Sequence, residues 1–178
     1  MPKVDLPKNY WISSADVGFY KDGLYSGSYG LTLHFQGNEP GSTDIIAEIL
    51  QPLTKIDLPK RKLVRFEGLF PTKDPTDSIA LAIRAFQSWG FKVHAIIDVP
   101  QSSLSWVPLV DWLVVRTDRR WIPIASHELW YIPPQTENDI LEPELPRPEN
   151  TLLYLSKGYS VAQTTKFILN AKYNWFLL

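Results

Sequence analysis

The chain has no cysteine, and that absence removes more chemistry than any other feature of its 178 residues. Disulfides, thiol nucleophiles and thiolate-held zinc or iron–sulfur clusters all need a sulfur that is not there. An excess of charge of one sign is missing too. Eighteen Lys and Arg against nineteen Asp and Glu leave a net charge of −1, without the basic face of a non-specific nucleic-acid binder. The Asp118-Arg119-Arg120-Trp121 cluster is too short to change this and reads as a solvated loop. No apolar run approaches the roughly 18 residues that span a bilayer. Residues 1–8, rich in Pro, Lys and Asp, lack the hydrophobic region of a secretory signal. Gly23, Gly27 and Gly30 have the wrong spacing for a dinucleotide fingerprint, and no serine sits in a Gly-x-Ser-x-Gly context. A cytoplasmic protein that binds neither nucleic acid nor membrane is the expectation.

What is present is ordinary globular material, 44% apolar and 21% charged, long enough for one domain with a full core. Fifteen prolines punctuate loops, and seven tryptophans favour core packing, with a stacking pocket or partner surface as the alternative. The stretch 63–116 organises the chain. Three β-rich runs, 63–67, 91–97 and 112–116, alternate with helical segments at spacings that suit parallel crossovers and exclude tight hairpins. Between the first two, Ile79, Ala82, Ile83, Phe86 and Trp89 recur at helical spacing as one apolar stripe. Thr76 or Asp77 is placed to cap that helix, and Gly90 to end it in a left-handed conformation.

Further strands are expected at 9–13, 31–35, 127–132, 152–155 and 173–178. Residues 16–28 read as a Gly-, Tyr- and Ser-rich loop. Helices are expected after Ser42 or Thr43, over 102–109 with a break at Pro108, and over 160–171. Residues 133–150, with Glu137, Asp139, Glu142, Glu144 and Glu149 among several prolines, form an acidic excursion. The order predicts an α/β protein, a mostly parallel sheet in an open, incomplete (β/α) barrel, as one domain over 1–178.

Several segments resemble one family in order. The loop Gly23-Leu24-Tyr25-Ser26-Gly27 leads into Leu31-Thr32-Leu33-His34-Phe35-Gln36-Gly37-Asn38. Further on stand Val64-Arg65-Phe66-Glu67-Gly68-Leu69-Phe70-Pro71, Gly90-Phe91-Lys92-Val93, Asp111-Trp112-Leu113-Val114-Val115, Tyr154-Leu155 and Tyr173-Asn174-Trp175-Phe176-Leu177. This series resembles the 7-carboxy-7-deazaguanine synthases of the radical S-adenosylmethionine superfamily. The resemblance implies a partial barrel, homodimers or heterodimers with an active relative, and a pterin- or deazapurine-like (purine-like) small ligand. The departures matter as much. Where the family has cluster cysteines this chain has Asn38-Glu39-Pro40-Gly41. Leu69 and Phe70 replace a glycine and a glutamate of the second motif. Ile97-Asp98-Val99-Pro100 and Arg116-Thr117-Asp118 replace the third and fourth. No cluster can be held through cysteine, so no iron–sulfur cofactor and no radical chemistry are expected.

The expected site is therefore a polar mouth at the strand ends: Asn38, Glu39, Glu67, Asp98, Arg116 and Asp118. Glu67 and Asp98 are candidates for an acid–base pair or for Mg²⁺ ligation, and Arg116 for bidentate binding of a carboxylate or phosphate. Ordinary solvated strand-end residues are the plainer reading. His34, His94 and His127 suit hydrogen-bonded structural roles better than a three-histidine metal site. The leading expectation is a catalytically degenerate binding or regulatory protein. The alternatives are a radical-free enzyme using Glu67 and Asp98, and a structural interaction subunit. The question left to the structure is whether the mouth is open or filled by Phe70 and its neighbours.

Overall fold

The computed structural model describes residues 3–4, 12–37, 62–71, 77–98, 104–117, 126–131, 152–155 and 175–177. Among the described residues nine strands form one sheet in chain order: β1 (Lys3–Val4), β2 (Ile12–Phe19), β3 (Tyr29–Gln36), β4 (Leu63–Leu69), β5 (Lys92–Asp98), β6 (Trp112–Thr117), β7 (Glu128–Tyr131), β8 (Leu152–Leu155) and β9 (Trp175–Leu177). The pairings β1–β2 and β2–β3 are antiparallel, and those from β3 to β9 are parallel. One α-helix, α1 (Ser78–Ser88), is found among the described residues, with a single 3₁₀ turn at Val107–Leu109.

This corrects the expected open, incomplete (β/α) barrel. The sheet is mixed and strand-dominated, and its first edge is antiparallel, with no helix between β2 and β3. Residues 16–19, read as loop, continue β2. Their Gly and Asp look loop-like, yet Ala15 and Val17 are buried and Asp16 and Gly18 half-buried, the alternation of a strand with one apolar face. A register shift between Ile12 and Ser14 breaks that period and hides it from sequence.

The strands expected around 31–35, 63–67, 91–97 and 112–116 are present. Leu31, Leu33 and Phe35 of β3 face the core while Thr32 and His34 face the other way. The core lies on one side of the sheet. There Leu31, Leu33, Val64, Phe66, Val93, Ala95, Leu113 and Val115 join Ile79, Ala82, Ile83 and Phe86 of α1. Aromatic rings tie the two layers, with Phe86 edge-on to Phe66 at 6.0 Å and to Phe91 at 5.2 Å between centroids. Burying Phe86 or Ile83 contributes roughly 1.5–3 kcal/mol each.

Gly90 takes φ +88° and ends α1 as expected. The expected side-chain cap is corrected. Asp77 sits in the left-handed region at φ 51° with no side-chain cap bond, and its carbonyl accepts from the Leu81 amide at 2.9 Å. The expected helix over 102–109 shortens to the 3₁₀ turn, with Pro108 inside its first turn rather than breaking it. That position tolerates a residue without an N–H. The expected helices after Ser42 and over 160–171, and the acidic excursion 133–150, lie outside the described residues. No described helix is long and apolar enough to cross a membrane.

Candidate functional site

The other face of the sheet is polar, and strand alternation places it. Arg65 and Glu67 of β4, His94 and Asp98 of β5, Trp112 and Arg116 of β6, and Glu128 and Trp130 of β7 each stand two or four residues apart on their strand. The parallel register aligns them: Arg65 beside His94, His94 beside Trp112, Asp98 beside Arg116, and Arg116 beside Trp130. Asp16 and His34 extend the face across β2 and β3. Among the described residues, Ile96, Val114 and Trp130, with Trp112 against them, make an apolar patch here.

Three charge groupings occupy this face. His34 stands between two carboxylates: its Nε2 is 2.8 Å from Asp16 Oδ2 and its Nδ1 3.0 Å from Glu67 Oε1. Both ring nitrogens meet acceptors, so both bonds exist only when the imidazole is protonated. The Glu67 hydrogen bond is the main force holding the His34 pKa above its ordinary value, against an opposing effect of burial, and Asp16 adds to it. Burial acts to raise the Glu67 pKa. The His34 bond and the positive charges of His34, Arg65 and Arg116 outweigh it and hold Glu67 below the usual carboxylate range.

At the strand ends, Arg116 grips Asp98 with two prongs, Nε donating to Oδ1 at 2.6 Å and Nη2 to Oδ2 at 3.0 Å. That bond raises the Arg116 pKa against the opposing effect of burial. Both side chains are about two-fifths exposed, at 40% and 38%, so the pair meets solvent.

Nearer the middle of the sheet, buried Arg65 donates from Nε to His94 Nε2 at 2.8 Å and stacks over the Tyr20 ring at 4.3 Å. Burial, then the charge of Arg65, holds the His94 pKa well below its ordinary value, so the ring is neutral. Burial likewise lowers the pKa of Arg65. Glu128, 1% exposed, accepts from Trp112 Nε1 at 3.0 Å, Trp130 Nε1 at 2.5 Å and the Leu24 amide at 3.0 Å.

No protein-family model, curated protein or solved structure matches this chain. The site must therefore be read from its own geometry.

Of the six residues expected at the mouth, Glu67, Asp98 and Arg116 lie on one face toward the ends of neighbouring parallel strands. Asn38, Glu39 and Asp118 lie outside the described residues. Glu67 and Asp98 do not form a free acid–base pair, because each is bonded to a different base. The two-pronged face of Arg116 expected for a ligand is taken by Asp98. Among the described residues no three His, Asp or Glu side chains are arranged to hold a metal ion. The three histidines have separate roles: His34 bridges carboxylates, His94 accepts from Arg65, and His127 accepts the Leu113 amide on Nδ1 at 2.9 Å while stacking on Trp112. Phe70 does not fill the polar face. It is 4% exposed and packs in the apolar layer against Phe35 and Trp106, at 4.9 and 4.8 Å between centroids.

Sequence reading missed Asp16, Arg65 and Glu128. The available signal was period-two alternation: Asp16 and Arg65 each stand between buried neighbours in a strand, and Glu128 stands before buried Leu129 at the start of one, the pattern of a second occupied face rather than of solvent.

Proposed function

We propose that this chain is a ligand-binding protein without radical chemistry, and that a small polar molecule binds on the charged sheet face at the Asp98–Arg116 end. The observation that carries the reading is the pairing of both candidate catalytic carboxylates. Glu67 is committed to His34 and Asp98 to Arg116, which suits fixed recognition of hydrogen-bonding groups rather than proton transfer. A half-exposed charge pair offers donors and acceptors together, as a site for a small polar molecule needs. The resemblance to 7-carboxy-7-deazaguanine synthases supports a purine- or pterin-like occupant as one candidate.

The test is native mass spectrometry of the anaerobically purified protein, with iron and sulfide measured on the same sample. A co-purifying small molecule that is lost from Arg116→Ala, without stoichiometric iron, is the expected result. Stoichiometric iron and sulfide, or a bound molecule indifferent to Arg116→Ala, would overturn the reading.

A further inference from the structure

Residues 20–28 connect β2 to β3 and form a loop that lies across the polar face. The Leu24 amide donates to Glu128 Oε1 at 3.0 Å. Gly23, at φ +86°, lets the backbone come this near, since a Cβ there would stand 2.6 Å from Glu128 Oε2. Two further contacts hold the loop, and both run through one side-chain pair. Arg65 Nη2 donates to the Asp22 carbonyl at 3.3 Å. The Tyr25 ring stacks on His94, with centroids 4.6 Å apart and planes 21° from parallel. The pair itself is joined by the bond from Arg65 Nε to His94 Nε2, at 2.8 Å.

That bond exists in one protonation state only. A guanidinium has no acceptor, so His94 Nε2 must offer its lone pair, and the neutral ring carries its proton on Nδ1. A second proton has to go to Nε2. It would set an N–H against the Arg65 N–H at 2.8 Å and one positive charge against another. His94 is 1% exposed, with Tyr25 on its face, Tyr20 edge-on at 5.0 Å and Trp112 beside it on β6. Its Nδ1 is buried without a partner, so that side offers a cation no acceptor either. The charged and titratable groups around the Arg65–His94 pair are Glu67 on β4, Tyr20, Asp22 and Tyr25 on the loop side, His127 stacked behind Trp112, and Glu128 on β7. Among the described residues none of these carboxylates is within ion-pair distance of His94, and the charge that acts on it is that of Arg65. A protonated His94 therefore needs water, and Tyr25 of the loop covers it.

We infer that residues 20–28 are a strap held shut by neutral His94, and that a proton taken up on His94 Nε2 breaks the Arg65 bond and releases the strap from the polar face. Release turns Arg65 and the Glu128 carboxylate, both buried in the shut form, toward solvent. The strap works whether or not a ligand occupies the Asp98–Arg116 end. Linkage sets the direction. In the shut form burial, then Arg65, holds the His94 pKa well below its ordinary 6.5, and in the released form water returns it toward that value. The shut form is fully favoured above 6.5 and loses ground as pH falls below it, by up to about tenfold in the shut-to-released ratio per pH unit.

The experiment is amide hydrogen exchange of the ¹⁵N-labelled full chain from about pH 7.5 to about pH 5, read by nuclear magnetic resonance and corrected for the intrinsic pH dependence of exchange. The Leu24 amide reports the strap, and amides at the centre of β4 report global unfolding. Leu24 protection should fall by up to about tenfold per pH unit below 6.5 while β4 stays protected. His94→Gln, whose amide oxygen accepts from Arg65 without titrating, should hold Leu24 protection flat across the range. His127→Asn, which keeps an acceptor for the Leu113 amide, and His34→Gln should retain the fall. Where His94→Gln fails to fold, the native chain and the other two variants decide. A flat Leu24 profile in the native chain overturns the inference. So does a fall in step with β4, a fall that persists in His94→Gln, or one abolished by His127→Asn or His34→Gln.

Discussion

His34 Nδ1 lies 3.0 Å from Glu67 Oε1, and this contact joins β3 to β4 on the charged side of the sheet. With Asp16 on the other nitrogen, the protonated ring clamps three strands. The two partners titrate in opposite directions, and that fixes the pH profile. The pKa of His34 is raised above its ordinary 6.5, so its contribution is complete below that value and is lost as pH rises through the raised one. The pKa of Glu67 is lowered from its ordinary 4.5, so its contribution is complete above that value and is lost as pH falls through the lowered one. Stability from the pair should peak between the two ordinary values. In urea melts across pH, His34→Gln should flatten the alkaline limb and cost about 1–2 kcal/mol near pH 6. An unchanged alkaline limb would refute the clamp.

Phe86 is fully buried and touches Phe66, Trp89 and Phe91. Phe86→Ala should cost about 3–5 kcal/mol, read from the shift in urea midpoint at constant slope. Leu81, 38% exposed on the same helix, should lose less than about 1 kcal/mol on change to Ala.

Two glycines should respond differently to alanine. At Gly68, φ is +107° and a Cβ would collide with the Phe35 carbonyl of β3, so Gly68→Ala should cost about 3 kcal/mol or more. At Gly27, φ is +82° but no atom lies within 4 Å of the added carbon, so the cost should stay near 1–2 kcal/mol of backbone strain. Equal thermal shifts would show that the contact at Gly68 relaxes freely.

The Asp98–Arg116 pair should contribute little to stability despite its good geometry. Both side chains are about two-fifths exposed, and ion pairs in water contribute roughly 0–1 kcal/mol. Asp98→Asn should leave the melting midpoint almost unchanged while weakening ligand retention in native mass spectrometry. A loss of several kcal/mol in the melt would mean the pair is structural.

Glu128→Ala should be costly for a different reason. It leaves the Trp112, Trp130 and Leu24 N–H groups without their acceptor, and each stranded donor costs about 1–3 kcal/mol. Tryptophan emission should change with the melt, since two indoles lose their partner. A silent emission spectrum would contradict the arrangement.

The apolar half of this architecture was legible because its period is local. Ile79, Ala82, Ile83 and Phe86 announce α1 within eight residues, and Leu31, Leu33 and Phe35 announce β3. The strand-end polar residues Glu67, Asp98 and Arg116 stood out for the same reason. Arg65, Asp16 and Glu128 did not: local alternation marks an occupied face, but which strand answers each residue is set by pairing alone. Asp16 also sits beside the bulge that shifts the register of β2. The barrel reading failed at the first edge. An antiparallel return from β2 to β3 and a crossover strand have similar local patterns, and only pairing tells them apart.

The bond from the Leu24 amide to Glu128 spans 104 positions of chain. The loop after β2 is made early in the polypeptide, yet its anchor arrives only with β7. A chain interrupted before β7 would leave that loop without its Glu128 anchor. Closing so long a segment carries a larger entropic cost than the local turn between β2 and β3, so its docking is expected to follow that pairing.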